Sequence, residues 1–348
     1  MNDYILLQII FTLLFNYGLL KLSITNAHKL GLMDIPKERS SHTVPIPRGA
    51  GIVFCFILIS NILFFYWTSK EHVECSYVLI SLLIIYILGA VDDIKSVSVR
   101  IKLIFMIFIS IIAYYDGFVI HSLGNYFGLE LTLGYFALPI TVLFLVGFTN
   151  AINLSDGLDG LAVSLTIIIA SSLFYIGYIN NDKLLITLPL LIITTLIPFL
   201  FLNWHPAKIF MGDSGSLFLG LLLALLIVHS LKYINPSAVL FLGAIPLLDT
   251  LLVMKRRREK KKPIFTADKN HLHHLLLQLK QNQVFAVFTL IKLQLIFTLI
   301  FLQVYNKSDV INVVLFIFLF FIFLKLFDPE IVKKDKKKEK KDIIKNLI

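Results

Sequence analysis

The sequence predicts an all-α, polytopic membrane protein with about eleven transmembrane helices, and three observations predict it. Of 348 residues, 57% are hydrophobic and 16% charged, whereas a soluble domain is about a quarter charged. Apolar runs of about 16–20 residues recur along nearly the whole chain, close to the length a helix needs to cross about 30 Å of hydrocarbon. The segments between the runs carry their positive charge on one alternating set, the sign of a fixed orientation.

The runs fall at 4–22, 50–67, 76–91, 101–116, 134–150, 161–179, 184–202, 215–231, 236–254, 284–303 and 309–327. The first follows Asp3 instead of a basic stretch, and no small-x-small site precedes Lys21, so it reads as a retained span and not a signal peptide. Cys55 lies within the second run and Cys75 near the outer end of the third. Two cysteines so placed argue against a disulfide framework or a zinc site. With the N-terminus outside, the inner segments are 23–49, 92–100, 151–160, 203–214, 255–283 and the tail from 328. These hold Lys29, Lys37, Arg39, Arg48, Lys95, Arg100, Lys208 and the basic run from Lys255 to Lys262. The outer segments offer little beyond Lys70, Lys183, Lys232 and Lys307. An odd number of spans leaves the C-terminus in the cytoplasm. Residues 1–327 then form one multi-span domain, and 328–348 a basic tail that leans on anionic lipid headgroups. The net charge of +10 thus belongs to the inner membrane surface, and no nucleic-acid partner is expected.

The unusual polar residues gather on that same inner side. Asp92 and Asp93 close the third span in LGAVDDIKSVSVR. Adjacent carboxylates repel, so a cation, a proton or a basic partner is expected beside them, unless they are simply a solvated helix end. In NAINLSDGLDGLA, Asn150, Asn153, Asp156 and Asp159 recur every three residues, which brings neighbours onto one helical stripe. Gly157 and Gly160 permit an irregular backbone there. Oxygen-bearing side chains at this spacing suit a hard cation such as Mg²⁺, or else cap the sixth span. Asp213 lies in NWHPAKIFMGDSGSLFLG. Its position suits a helix N-cap, or a phosphate site built from free N–H groups at a helix start, with Lys208 adding a cation. His271, His273 and His274 follow Asp268 in ADKNHLHH. This spacing does not place a tetrahedral zinc set, and imidazoles binding phosphate oxygens fit better. The loop DIPKERSSHTVPIPRGAG offers Arg39, His42 and Arg48 to an anionic substrate, or is a plain cytoplasmic loop. Asp249, inside the ninth run, is a functional candidate because intramembrane carboxylates are expensive; its alternative is pairing with a neighbouring helix's Arg or Lys.

Together these segments resemble the polyprenyl-phosphate N-acetylhexosamine-1-phosphate transferases, glycosyltransferase family 4, over about residues 31–275 and in the family's order. The strings NAINLSDGLDGLA and PAKIFMGDSGSLFLG are specific; the DD pair is not. SSHTVPIPRGAG, the Asp249 segment and HLHH look like the bacterial WecA/TagO branch, with Ala50 standing where a second glycine is usual. The resemblance implies transfer of N-acetylhexosamine-1-phosphate, GlcNAc-1-phosphate above all, from a UDP-sugar to undecaprenyl phosphate. UMP is released and a cell-surface polysaccharide is begun. The implied place is the cytoplasmic face of the inner membrane, and the implied cofactor is Mg²⁺, with Mn²⁺ as the other candidate. At matching positions, Asp213 and Asn153 would hold the metal on the donor diphosphate. Asp92 and Asp93 would sit beside the lipid phosphate, one of them as base. Asp156 and Asp159 would shape the nucleotide and metal pocket, Phe210 would stack on uracil, and His271, His273 and His274 would contact phosphates or sugar. His42, Arg48, Lys95, Asn150, Lys208, Asp249 and Asp268 complete the expected substrate contacts.

Peptidoglycan-precursor-type transfer and a membrane transporter are the competing readings. Carboxylates clustered at one face, and no visible internal repeat, weigh against transport. Direct attack and a two-step aspartyl-phosphate route, the identity of the sugar, and a homodimer stay open.

Overall fold

The computed structural model describes residues 3–36, 43–68, 76–259, 261, 271–280 and 282–328. In chain order these are α1 (Asp3–Asn26), β1 (Met33–Asp34), β2 (Ile46–Pro47), α2 (Ala50–Thr68), α3 (Ser76–Ile94) and α4 (Val99–Tyr115). A hairpin follows, β3 (Ser122–Tyr126) and β4 (Leu129–Thr132), then α5 (Ala137–Leu154), α6 (Leu161–Asn180), α7 (Lys183–Asn203) and α8 (Asp213–Ser230). The chain continues through α9 (Val239–Leu242), α10 (Ala244–Glu259), α11 (Leu272–Lys280), α12 (Gln283–Val304) and α13 (Asp309–Leu326). Hydrocarbon offers no hydrogen bonds, so apolar runs of this length close their backbone bonds internally as helices. Each predicted run lands on helix. Among the described residues nine helices are long and apolar enough to cross a membrane, and ten if the bent α9–α10 region counts as one span. The predicted run 101–116 is α4, of 17 residues. Cys75 and nearly all of the predicted tail lie outside the described residues.

The run 236–254 is not one straight span. Residues Pro236–Leu242 and Ala244–Glu259 meet at 87°. Pro246 donates no N–H to the turn before it, and a Cβ at Gly243 would fall 2.4 Å from the ring of Phe148. The bonds lost at the break are replaced by Gln294 of α12. Its Nε2 donates to the Leu242 carbonyl at 2.9 Å and its Oε1 accepts the Ile245 N–H at 3.0 Å. The β3–β4 hairpin, between the predicted runs 101–116 and 134–150, is held by Asp309, whose carboxylate accepts the Asn125 N–H at 2.7 Å.

α8 is the axis of the bundle. Within its apolar window 89% of residues are buried, against 17% for α1 and 22% for α13. It packs on α2, α3, α5 and α6, and glycines let the helices touch at the backbone. A Cβ at Gly51 of α2 would lie 2.1 Å from the Gly215 nitrogen, and one at Gly89 of α3 would lie 2.4 Å from the Ser214 Cα. Lipid tails are as apolar as leucine, so such close packing is what associates helices in a bilayer.

The two ends of the bundle differ. Segments assigned to the inner side by charge meet around the start of α8, as described below. Segments assigned to the outer side meet around its last turn and line a cavity of about 830 Å³ that includes Asp116, His121, His229, Lys232, Tyr233 and Asp309. There Asp182 accepts from the Leu185 N–H and the Tyr233 hydroxyl and pairs with His229 Nε2, each at 2.9 Å, fastening the start of α7 to the end of α8.

The close packing predicts an asymmetry between glycines. Gly51→Ala overpacks a rigid contact, a change that costs about 1–3 kcal/mol. Gly18→Ala, with nothing within 4 Å of its added Cβ, gains up to about 1 kcal/mol of helix propensity. Thermal unfolding in detergent is expected to show a lowered midpoint for the first and an equal or raised one for the second.

Candidate active site

The site is built on the first turn of α8. Gly212 precedes it with φ +78, a backbone that glycine adopts without strain, and a Cβ there would strike the Asp93 carboxylate at 2.5 Å. Asp93, buried at the end of α3, accepts the N–H of Asp213 at 2.8 Å, the N–H of Ser214 at 3.1 Å and the Ser214 hydroxyl. The next two N–H groups, of Gly215 and Ser216, reach the Gly212 carbonyl. Of the two readings of this segment, the N-cap falls on Gly212 and not on Asp213, and the helix start that could offer free N–H groups to a phosphate is already occupied by an anion from the protein itself. Asp93 has both oxygens engaged in capping the start of α8.

With its backbone held this way, Asp213 turns its side chain to a polar cluster. Lys102 of α4 places Nζ 2.6 Å from Asp213 Oδ2 and 3.3 Å from Asp92 Oδ2. Asp92 also accepts the Val97 N–H at 2.6 Å. Asn153 of α5 donates to Asp213 Oδ1 at 3.3 Å and to Ser216 Oγ at 2.8 Å. The predicted pair Asn153 and Asp213 is thus brought together, and Asp92 joins it through Lys102. That lysine escaped the sequence reading because a basic residue at an inner span end already has an explanation in topology.

Two loops frame the cluster. Residues 46–51 run beside 209–211: the Phe210 N–H donates to the Pro47 carbonyl at 2.8 Å, and Ala50 and Gly51 donate to Phe210 and Met211. Arg48 crosses to the α3 end, its Nη2 donating to the Asp93 carbonyl. The 155–160 loop is clasped to 203–207. Asp159 Oδ2 pairs with His205 Nδ1 at 2.7 Å and accepts the Ala207 N–H at 3.2 Å. Asn203 accepts the Gly160 N–H and donates to the Ile209 carbonyl, both at 2.9 Å. Asp159, expected in the pocket lining, is nearly buried and works as the clasp. Its partner His205 had no sequence signal beyond standing before a proline.

Asp156 is half-buried in the same loop. Loss of hydration first, then the charges of Asp213, Asp93 and Asp159, push its carboxyl up to about 8. The histidine segment approaches from the other side, and His273 Nε2 lies 2.5 Å from where a Cβ on Gly157 would be. Burial pushes His273 down to about 3, with His274 and His271 adding to it against Asp249, so that imidazole is neutral. His271 and His273 stack with centroids 5.5 Å apart, and His274 follows at 4.3 Å from His273. Asp249, expected to touch substrate or a basic neighbour, is buried with both oxygens engaged by His271 Nδ1 (2.9 Å) and the Leu272 N–H (2.7 Å). Lys95 and Lys208 are exposed, and Asn150 is half-buried one turn before Asn153. His42, Arg39 and Asp268 lie outside the described residues.

The chain matches glycosyl transferase family 4 over residues 75–231. It is 34% identical over 311 residues to the probable undecaprenyl-phosphate N-acetylglucosaminyl 1-phosphate transferase of Bacillus subtilis, covering 86% of this chain and 84% of that protein. It is 29% identical to the undecaprenyl-phosphate alpha-N-acetylglucosaminyl 1-phosphate transferases of Yersinia pestis and Escherichia coli. The first match covers 81% of this chain and 80% of the relative, the second 76% and 74%.

Asp156 makes a pH prediction for the protein without divalent cation. The folded chain keeps a proton that the unfolded chain loses near pH 3.9. Its contribution is therefore neutral below that pH and increasingly unfavourable as pH rises toward 8. Asp156→Asn removes the penalty, so its gain in thermal midpoint over the parent is expected to be larger at pH 8 than at pH 5. An equal gain at both would return Asp156 to an ordinary carboxylate.

Proposed function

We propose that this chain, which belongs to glycosyl transferase family 4, transfers N-acetylglucosamine-1-phosphate from UDP-N-acetylglucosamine to undecaprenyl phosphate. The observation that carries this reading is the Lys102 ammonium set between Asp213 and Asp92, with Asn153 alongside, at one membrane face. Donor and acceptor are both anionic. A fixed cation among carboxylates, at the level where a lipid headgroup and a soluble nucleotide can meet, is what joining them requires. The basic inner loops support the cytoplasmic face of the inner membrane as that place.

An oxygen of the acceptor phosphate forms the new bond to the β-phosphorus of the donor. The bond from that phosphorus to the oxygen shared with the α-phosphate breaks, and UMP leaves with the oxygen. The acceptor's second pKa is near 6, so it arrives largely dianionic at neutral pH and no side chain has to take a proton. That suits Asp93, whose oxygens already accept from the α8 backbone. Lys102 neutralises charge on the transferred group, and Arg48 and the neutral His273 orient phosphate oxygens or the sugar. The same inventory favours direct displacement over an aspartyl-phosphate intermediate.

Mg²⁺ fits the donor chemistry. Asp213 and Asn153 offer hard oxygen ligands, and the Lys102 ammonium beside Asp213 is in keeping with a site that attracts positive charge. Among the described residues no three His, Cys, Asp or Glu side chains are placed to hold a metal. Mg²⁺ is usually bound through one or two carboxylates and the substrate's own phosphates. When bound it would draw charge from the diphosphate.

The test is purified protein in membranes containing undecaprenyl phosphate, assayed across a panel of UDP-HexNAc donors. Mg²⁺-dependent UMP release with UDP-N-acetylglucosamine is expected, and UMP from none of the donors overturns the reading. Lys102→Ala is expected to lower kcat by about 10²–10³. Recovery of a sugar-phosphate attached to the enzyme in the absence of acceptor would sink direct displacement.

A further inference from the structure

Asp249 is a carboxylate within the bent α9–α10 span, and its oxygens reach forward 22 and 23 residues in sequence to the histidine segment. An ionised carboxylate only accepts hydrogen bonds. The bond at 2.9 Å therefore fixes the proton of His271 on Nδ1 and directs Nε2 away from Asp249. The other oxygen takes the N–H of Leu272, the first residue of α11, at 2.7 Å. A negative group there also complements the positive end of that helix. One side chain thus sets the tautomer of a ring and the origin of a helix together.

What that helix carries lies against the 155–160 loop. The His271 ring is stacked on His273 at an interplanar angle of 16°. His273 Nε2 occupies the space that any side chain at 157 would fill, and Asp156 is the neighbour of that glycine. The contacts run without a gap from Asp249 through His271 and His273 to the loop beside Asp156.

We infer that Asp249 is a positioning residue: from inside the membrane-spanning segment it sets the His271 tautomer and the start of α11, and so aligns His273 with the 155–160 loop. Carboxylates that orient a functional histidine typically change activity about 10–100-fold when altered. The kinetic part of the test rests on the transfer reaction proposed above; the spectroscopic part does not.

Asp249→Asn keeps the size of the side chain and still accepts the Leu272 N–H through its carbonyl. Its amide, turned to His271, is a donor, so Nδ1 has to become an acceptor and the proton moves to Nε2. Nitrogen spectra of the full chain in lipid nanodiscs, labelled with ¹⁵N-histidine, are expected to show one histidine changing tautomer. In the transfer assay kcat and kcat/KM are expected to fall together by about 10–100-fold. His271→Gln is expected to lose as much, and the double variant no more than the worse single one. An unchanged tautomer, full kcat in Asp249→Asn, or losses that multiply in the double variant would each overturn the inference. Should Asp249→Asn fail to fold, His271→Gln decides, because it leaves Asp249 capping Leu272: folded protein with full kcat refutes positioning, and the expected loss supports it. A wild-type chain that transfers nothing would refute the reaction alone, since the tautomer is read without it.

Discussion

The arrangement depends on one buried carboxylate under one helix. Asp93 sits where water is scarce, and a charge in such a place is costly unless hydrogen bonds and an opposing field meet it. The first turn of α8 supplies both, through two N–H groups, a serine hydroxyl and the positive end of the helix dipole. This bond decides where α8 begins and where Asp213 stands. It also pins α3, so Asp92, the preceding residue, is carried to Lys102. Arg48 binds the carbonyl of the same residue, which recruits the proline-rich loop. Gly51, Gly89 and Gly212 are needed because the backbones around this carboxylate have no room for side chains.

Around that anchor the polar residues divide by task. Asp93, Asp159 and Asn203 hold backbone to backbone, while Asp92, Asp213, Asn153 and Lys102 face one another across the cluster. The division follows from burial. A carboxylate that must stay in the interior is stable only when its lone pairs are filled from inside the protein. Asp213 and Asp92 keep part of their surface open, at 27% and 14% side-chain exposure, as the substrate contact proposed for them needs.

The spans were legible because hydropathy over about twenty residues is a bulk property, as is the sidedness of lysine and arginine. The motifs were legible as a set, since glycines, carboxylates and asparagines have no reason to crowd one set of span ends. Three things stayed hidden for physical reasons. The break at Gly243 vanishes from hydropathy because both halves are apolar, and the residue that heals it, Gln294, is 51 positions away from Gly243. The filling of the α8 start by Asp93 is a contact across 120 residues, so GDSGS by itself reads as an open anion site. Lys102 and His205 are chemically ordinary until the fold shows what stands opposite them.

The glycine contacts along α8 also divide the molecule into strict and permissive parts. Where helices touch at the backbone, a single added methyl group must displace a whole helix, so physical tolerance to substitution is expected to be least along α8. The sparsely buried windows of α1 and α13, at 17% and 22%, leave most apolar positions there able to exchange one apolar residue for another.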